Sequence, residues 1–135
     1  MTIHYPQSYS NPTLDAFLVK FFQLSDLPPP ATNDPYVEEF TDDAYVKVGP
    51  AEAVGKHNLV EYRKNSWVGI DKRHHVIDKV FPFSSSQDET QDIIVKGTVE
   101  YTRDGSVSAV EFMSHLMIKG WKIAHYKVYI SPNKQ

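Results

Sequence analysis

The segment IIVKGTVEYTRDGSVSAVEFMSHLMIKGWKIAHYKVYI, residues 93–130, decides the fold of this chain. It is rich in β-branched and aromatic residues, which favour strands, and it divides into three predicted strands, 93–103, 107–118 and 121–130. Asp104-Gly105 is a strong signal for a tight hairpin between the first two strands, and Lys119-Gly120 marks the next turn. The sequence therefore predicts an antiparallel sheet at the C-terminal end.

Both faces of this predicted sheet carry apolar side chains. A sheet with one solvated face alternates apolar and polar residues, and strand 107–118 does not. One face of that strand carries Val107, Ala109, Glu111, Met113, His115 and Met117, and the other carries Val110, Phe112, Ser114, Leu116 and Ile118. Helices can cover one face, and a second copy of the chain would cover the other most economically. We therefore expect a homodimer that forms through the sheet.

The sequence before the sheet predicts three helices and two further strands. Asn11-Pro12 begins the first helix, since Asn is a good N-cap and Pro suits the first helical position. A short second helix begins at Asp34-Pro35, a third follows Gly55, and residues 44–49 and 74–83 are predicted strands. The expected fold class is α+β, with about three N-terminal helices packed on a curved, mostly antiparallel sheet. We divide the chain into a polar N-terminal arm (1–12), one domain (13–131) and a C-terminal tail (132–135).

Composition and charge exclude several classes of function. The chain has 135 residues, of which 41% are hydrophobic and 23% charged, enough for one apolar core. The net charge is −3 and no run of Lys and Arg stands out, so we expect no nucleic-acid partner. There is no Cys, and His74 and His75 point to opposite faces of a strand, so we expect no metal site. No phosphate or dinucleotide motif is present, which predicts chemistry without a cofactor. With no signal-peptide pattern and no membrane-spanning run, we expect a cytoplasmic protein without a membrane partner.

Several short motifs occur in an order that is typical of a known superfamily. They are Phe40-Thr41-Asp42-Asp43-Ala44-Tyr45, His74-His75-Val76-Ile77, Gly97-Thr98-Val99-Glu100-Tyr101, Asp104-Gly105 and Trp121-Lys122-Ile123. Together with the order of elements they resemble the SnoaL-like branch of the nuclear transport factor 2-like superfamily, over residues 13–130. The resemblance implies a cone with an internal pocket for a small apolar ligand or substrate. Known members include polyketide cyclases, ketosteroid isomerase, scytalone dehydratase and limonene epoxide hydrolase, and others without catalytic activity.

The resemblance points to His75 and Glu100 as catalytic candidates. His75-Val76-Ile77 resembles the place where scytalone dehydratase has a catalytic His on its second strand, and a neutral imidazole can act as acid or base. Gly49 and Arg103 stand where that enzyme has a Tyr and a second His. Glu100 matches one carboxylate of limonene epoxide hydrolase. Its remaining Arg and Asp are replaced here by Thr98 and Val128, and Ser131 stands where many SnoaL-like chains have an Asp.

The remaining candidates are residues that would bind the substrate, and their placement depends on strand parity. The set is Tyr126, Trp67, Phe21, Ser114, Glu111 and Val128. A strict two-residue Lys119-Gly120 turn would place Glu111 on the Tyr126 face, whereas a longer turn or a bulge would place Ser114 there. The sequence leaves both alternatives open.

Two hypotheses for the function follow. The first is a cofactor-free isomerase, cyclase or dehydratase that acts by general acid–base chemistry on an apolar, oxygenated, polyketide-like or terpenoid-like molecule. The second is a ligand-binding or dimerisation module of the same fold without catalysis, which the missing acids at Val128 and Ser131 favour.

Overall fold

A computed structural model describes residues 2–131; the predicted tail 132–135 lies outside the described residues. The elements are α1 (Pro12–Ser25), a 3-10 turn (Val37–Glu39), β1 (Phe40–Val48), β2 (Ala51–Val54), α2 (Lys56–Asn65), β3 (Lys72–Pro82), β4 (Gln91–Arg103), β5 (Ser106–Lys119) and β6 (Lys122–Ile130). None of the helices in this part of the chain is long and apolar enough to cross a membrane.

The strands form one mixed sheet in the order β2-β1-β6-β5-β4-β3. β1 pairs with β6 in parallel, and the other neighbours are antiparallel. The long C-terminal strands and the Asp104-Gly105 hairpin confirm the sequence prediction, since both turn residues have positive φ and Arg103 pairs with Ser106. The short strand β2 was not predicted. It returns along β1 after a turn at Gly49-Pro50.

The prediction of about three helices was wrong, because the described chain has two α-helices and one short 3-10 turn. α1 begins as predicted, with the Asn11 side chain accepting a hydrogen bond from the Leu14 N–H at 3.1 Å. The predicted second helix is the turn Val37–Glu39, since Phe40 is already extended (φ −108°, ψ 155°) and begins β1. Phe40 pairs with Ile123 of β6. The sheet therefore takes the residues that a longer helix would need.

The apolar core lies between α1 and the inner face of the sheet. Its fully buried side chains include Leu14, Leu18, Phe21, Phe22, Phe40, Ile77, Ile93, Leu116, Ile118 and Ile123. The N-terminal arm also contacts this body. The His4 N–H donates to the Asp78 carbonyl at 2.9 Å, and the Val80 N–H donates to the His4 carbonyl at 3.0 Å. The arm thus lies along the outer edge of β3, at the point where the pairing of β3 with β4 shifts register.

A bulge in β6 settles the strand parity that the sequence left open. The two turn residues of the last hairpin are Gly120 and Trp121, both at positive φ, so the turn lies one residue later than predicted. Ile118 pairs with Ile123 but Met117 pairs with His125, which leaves Ala124 as an extra residue. Beyond the bulge, Tyr126 lies opposite Leu116 and Val128 opposite Ser114.

Gly97 in the middle of β4 allows a close approach that a side chain would block. A Cβ at this position would lie 2.3 Å from the Val76 carbonyl oxygen, 3.1 Å from the Ile77 Cα and 3.2 Å from a ring carbon of Phe112. Gly97 therefore lets β3 and the Phe112 ring come together on the inner face of the sheet, at the border of the cavity described next.

Candidate functional site

A cavity of about 60 Å³ lies between the end of α1, α2 and the inner face of the sheet. Its lining is Ser25, Tyr36, Val48, Tyr62, Arg63, Ser66, Arg73, His75, Val99, Tyr101, Phe112, Tyr126, Val128 and Ile130. Four tyrosines, two arginines and one histidine are an unusual share of polar groups for the interior of a small domain. Such convergent polar groups in a concave site are the usual sign of a binding or catalytic function.

His75 and Asp26 form a hydrogen-bonded pair at this cavity. The His75 Nδ1 lies 2.5 Å from Asp26 Oδ1, and the same carboxylate accepts the backbone N–H of His75 at 3.0 and 3.1 Å. β3 is an edge strand, so without Asp26 this N–H would have no strand to pair with. Because an ionised carboxylate only accepts, Nδ1 is the donor of this hydrogen bond, and in the neutral imidazole the lone pair then lies on Nε2. The second imidazole near Asp26 belongs to His74, at 3.7 Å and largely exposed.

The aromatic core fixes the position of the His75 ring. Phe22 of α1 lies 5.2 Å from it between ring centroids, and Phe112 of β5 lies 5.5 Å away at an angle of 84°. Only 10% of the His75 side chain is exposed. The ring is thus held between two elements and the Asp26 carboxylate, which restricts it to one orientation.

Asp26 occupies a position that helix electrostatics disfavours. It is the C-cap of α1, where the helix dipole places partial negative charge. A carboxylate there costs about 0.3–1 kcal/mol compared with a neutral residue. The hydrogen bonds to His75 offset this cost, and they offset it best when the imidazole carries a positive charge.

The cavity tyrosines are neutral hydrogen-bond donors. Burial raises the pKa of Tyr62 to about 12, and it also raises the pKa of Tyr36 and of Tyr126 well above the usual value of a tyrosine. Within residues 2–131, the hydroxyls of these three and of Tyr101 make no hydrogen bond to the protein. They are therefore free to donate to an oxygen atom of a bound molecule.

The two arginines of the cavity differ in how their charge is balanced. Arg63 is 2% exposed and its Nε donates to Asp34 at 3.1 Å. Its other nitrogens donate to carbonyls at the end of α1, those of Leu24, Ser25 and Leu27. Arg73 donates to the Ser66 carbonyl, and its guanidinium lies over the rings of Trp67 (4.6 Å) and Tyr101 (5.4 Å). No carboxylate of the described chain lies within ion-pair distance of Arg73.

Three of the residues singled out from the sequence line the cavity, namely His75, Tyr126 and Val128. Three others are buried around it without lining it. Phe21 packs against Tyr36 and Tyr126, Trp67 lies under the arginines, and Ser114 is fully buried with no hydrogen-bond partner in residues 2–131.

The structure does not bring the two glutamates to the cavity, which corrects their expected place. Glu100 is exposed and pairs across the strands with His74, so it points away from the face that carries His75. Glu111 is also exposed, because the bulge in β6 places Phe112 and Ser114 on the inner face instead. No salt bridge joins Glu111 to Lys96 within residues 2–131.

The sequence reading missed Asp26, Arg63, Arg73 and the three tyrosines at positions 36, 62 and 101. Arg73 could have been found, since it stands two residues before His75 and must share its strand face. Asp26 carries a weaker signal, an acidic residue at the end of a helix where a basic one is usual. The other four lie on three elements: Tyr62 and Arg63 on α2, Tyr36 at the start of the 3-10 turn and Tyr101 on β4. No local pattern joins these elements.

The outer face of the sheet carries a second concavity, of about 270 Å³, around Lys96, Glu111, Met113 and Tyr129. Beside it the His115 ring hydrogen-bonds to Asp92 at 2.6 Å and lies 4.9 Å from the His125 ring. Burial and the nearby His115 lower the pKa of His125. No three His, Asp or Glu residues in the described part of the chain are grouped closely enough to hold a metal ion.

Comparison with known proteins identifies the fold. No family model and no curated protein sequence matches the chain. Among solved structures, an NTF2-like protein from Anabaena variabilis is similar (TM-score 0.69, 16% identity, 94% of this chain and 95% of that one). A proposed SnoaL-like polyketide cyclase from Shewanella putrefaciens is also similar (TM-score 0.70, 10% identity, 90% of this chain and 91% of that one). The β subunit of a benzoate 1,2-dioxygenase from Burkholderia mallei is similar as well (TM-score 0.73, 15% identity, 93% of this chain and 93% of that one). The chain therefore has the NTF2-like fold.

Proposed function

We propose that this chain is a cofactor-free enzyme of the NTF2-like fold in which His75 moves a proton on a small oxygenated substrate. The reaction class is isomerisation, cyclisation or dehydration. The observation that carries the proposal is the His75–Asp26 pair at the border of a cavity with unpaired hydroxyl donors.

His75 acts as the general base through Nε2. Asp26 holds the proton on Nδ1 and stabilises the imidazolium that forms when Nε2 takes a proton from a C–H or O–H bond of the substrate. The same imidazolium then returns the proton at another position. A positioned base of this kind accelerates proton transfer by about 10²–10⁴-fold.

Tyr126 and Tyr62 donate hydrogen bonds to the oxygen atom on which negative charge develops. Their raised pKa keeps them protonated at neutral pH, so they stabilise an oxyanion without giving up the proton. Glu100 and Glu111 have no part in this chemistry, since they lie on the other face of the sheet. The cavity is far smaller than the roughly 300–1,000 Å³ of pockets for drug-sized ligands, which favours a small substrate over a multi-ring one.

The test is deuterium incorporation from D₂O into small ketones and aldehydes, followed by proton NMR. We expect the protein to accelerate the exchange of hydrogen next to the carbonyl group, and His75→Gln to remove at least 90% of that acceleration. His57→Gln is the matched control, because His57 is an exposed residue of α2. Equal exchange rates for the wild-type protein and His75→Gln would refute the role of His75.

A non-catalytic binding or dimerisation module is the second candidate. It is favoured by Val128, an apolar residue at the cavity, and by the likeness to a dioxygenase β subunit, which is one part of a larger protein. In that case the cavity would bind a ligand and the wild-type protein would give no deuterium exchange above the buffer rate.

We also propose that the outer face of the sheet binds a second copy of the chain. Met113 and Tyr129 are 45% and 55% exposed, which is high for large apolar side chains in the middle of a sheet. Lys96 and Glu111 flank them with opposite charges and no partner within their own described chain. A two-fold axis through this patch would set Lys96 of one copy against Glu111 of the other, as an isologous interface requires.

A further inference from the structure

We infer that the cavity binds a small carboxylic acid that also carries a carbonyl group, with Arg73 as the partner of its carboxylate. The binding of the acid stands on Arg73 alone, and the chemistry that follows rests on the proposed function of His75.

Arg73 is the cavity group whose charge the described protein leaves unbalanced. Arg63, in the same cavity, has a carboxylate partner in Asp34 and three carbonyl acceptors. Arg73 has one carbonyl acceptor, and its buried Nε–H has no acceptor in residues 2–131. Burial also lowers the pKa of Arg73, so its charged form is short of solvation. A buried N–H without an acceptor is unfavourable because it has lost its hydrogen bonds to water, and the penalty is larger when the group is charged.

A carboxylate fits Arg73 better than a neutral ligand does. The guanidinium presents parallel N–H groups that two carboxylate oxygens can accept together, and such charge-assisted pairs are about twice as strong as neutral hydrogen bonds. Trp67 and Tyr101 lie against the guanidinium, and Arg73 also lines the cavity, so a carboxylate bound there can contact the guanidinium. The small cavity restricts the molecule to a few carbon atoms.

The positions of Arg73 and His75 indicate which functional group the ligand has besides its carboxylate. The two residues are neighbours on the inner face of β3, so their Cα atoms are about 6.6 Å apart. Both side chains line the same small cavity, so a molecule whose carboxylate binds Arg73 lies in the cavity that His75 borders. In a keto acid, Nε2 removes a proton from the carbon beside the ketone, the C–H electron pair forms the enol double bond, and the carbonyl electron pair moves to the oxygen. Protonation of a carbon by His75 restores the ketone.

Pyruvate and its neutral amide, pyruvamide, test this inference because they have the same number of non-hydrogen atoms. We expect pyruvate to shift the amide NMR signals of β3 residues and to bind at least tenfold more tightly than pyruvamide. Arg73→Met should lower pyruvate affinity at least tenfold. Arg103→Met is the matched control, since Arg103 also lies over the Tyr101 ring (5.3 Å) but is exposed on the sheet, and it should bind pyruvate as the wild-type protein does.

Equal affinity for pyruvate and pyruvamide in the wild-type protein overturns the inference without any variant. An equal loss of pyruvate binding in Arg73→Met and Arg103→Met overturns it too, because the effect would then be one of net charge. The pyruvate methyl group reports separately on His75. If pyruvate binds through Arg73 but its methyl group does not exchange with deuterium, the carboxylate site is supported and the proposed proton transfer by His75 is refuted. Exchange on pyruvamide as fast as on pyruvate refutes the anion site alone.

Discussion

Asp26, the C-cap of α1, binds His75 of β3 twice, through the backbone N–H and through the ring Nδ1. One carboxylate therefore closes the edge of the sheet and sets the tautomer of the imidazole. The contact joins residues 49 positions apart and ties the helix to the strand at the border of the cavity. The predictions below start from this contact and from the groups around it.

Asp26→Asn should keep the fold and reduce the base activity of His75. The amide oxygen can still accept the backbone N–H, but the imidazole loses the charge that stabilises its protonated form and is no longer held with its proton on Nδ1. We expect the acceleration of deuterium exchange to fall by about tenfold or more, a part of the roughly 10²–10⁴-fold effect of a positioned base, and ¹⁵N NMR of the ring to show the change in tautomer. Asp43→Asn, on the exposed part of β1, is the control. Unchanged exchange in Asp26→Asn would contradict the role of Asp26.

Stability should fall at high pH because of the cavity tyrosines. The pKa of Tyr62 is raised to about 12 by burial, whereas a tyrosine of the unfolded chain titrates near about 10. Between about pH 10 and 12 the unfolded state therefore binds fewer protons than the folded state, and the free energy of unfolding decreases as the pH rises. Urea unfolding at pH 8, 9, 10 and 11 should give similar values at about pH 8–9 and lower ones above. Tyr62→Phe should make the fall shallower. A profile that stays flat up to pH 11 would be inconsistent with buried, neutral tyrosines.

Gly97→Ala should destabilise the fold and open the cavity wall. The new methyl group would meet the Val76 carbonyl at 2.3 Å, so β3 must move away from β4. Overpacking of this kind costs about 1–3 kcal/mol, which urea unfolding measures. Thr98→Ala, at the exposed neighbouring position, should cost less than about 1 kcal/mol. If the two variants lowered the free energy of unfolding by comparable amounts, the close approach at Gly97 would not contribute to stability.

Tyr129→Asp should convert the proposed dimer into a monomer. A charge in the centre of an apolar patch loses its hydration when a second chain covers it, which costs several kcal/mol. Sedimentation velocity should give twice the chain mass for the wild-type protein and the chain mass for Tyr129→Asp. Lys47→Gln, on the half-buried part of β1 outside the concavity, makes the net charge more negative by one unit, as Tyr129→Asp does, and should leave the dimer intact. A wild-type protein that sediments as a monomer at micromolar concentration would exclude the dimer.

The part of the fold that could be read from the sequence is the part with local signals. Asp104-Gly105 fixes one hairpin by its own backbone preference, and Asn11-Pro12 fixes the start of α1 in the same way. The prediction of a second helix was wrong because the start signal at Asp34-Pro35 contains no information about β6, which pairs with Phe40 although it lies more than 80 residues away in the chain. Local preference lost to a long-range strand pairing.

The residues of the candidate site were likewise predictable only where a local pattern or a resemblance pointed to them. His75 was singled out by the resemblance of its strand to that of scytalone dehydratase, but its partner Asp26 is the C-cap of α1. No spacing rule links the end of a helix to a strand at the edge of a sheet 49 residues away. Glu100 was predicted at the cavity because a carboxylate suits the chemistry, but it lies on the outer face of its strand. Residues 73, 75 and 77 of β3 face inward together with residues 97, 99 and 101 of β4, so the side chain of Glu100 faces outward.

The extra residue in β6 has a consequence for how this chain is compared with its relatives. Residues up to Ile123 follow one alternation, and residues from His125 onward follow the other. A relative with a regular last strand therefore aligns correctly only if a one-residue gap is opened opposite Ala124. Without the gap, Tyr126 and Val128 would be matched with side chains on the far side of the relative's sheet. Loss of Ala124 would leave Tyr126 opposite Leu116 and Val128 opposite Ser114, so this hairpin can change length by one residue while the same two side chains line the cavity.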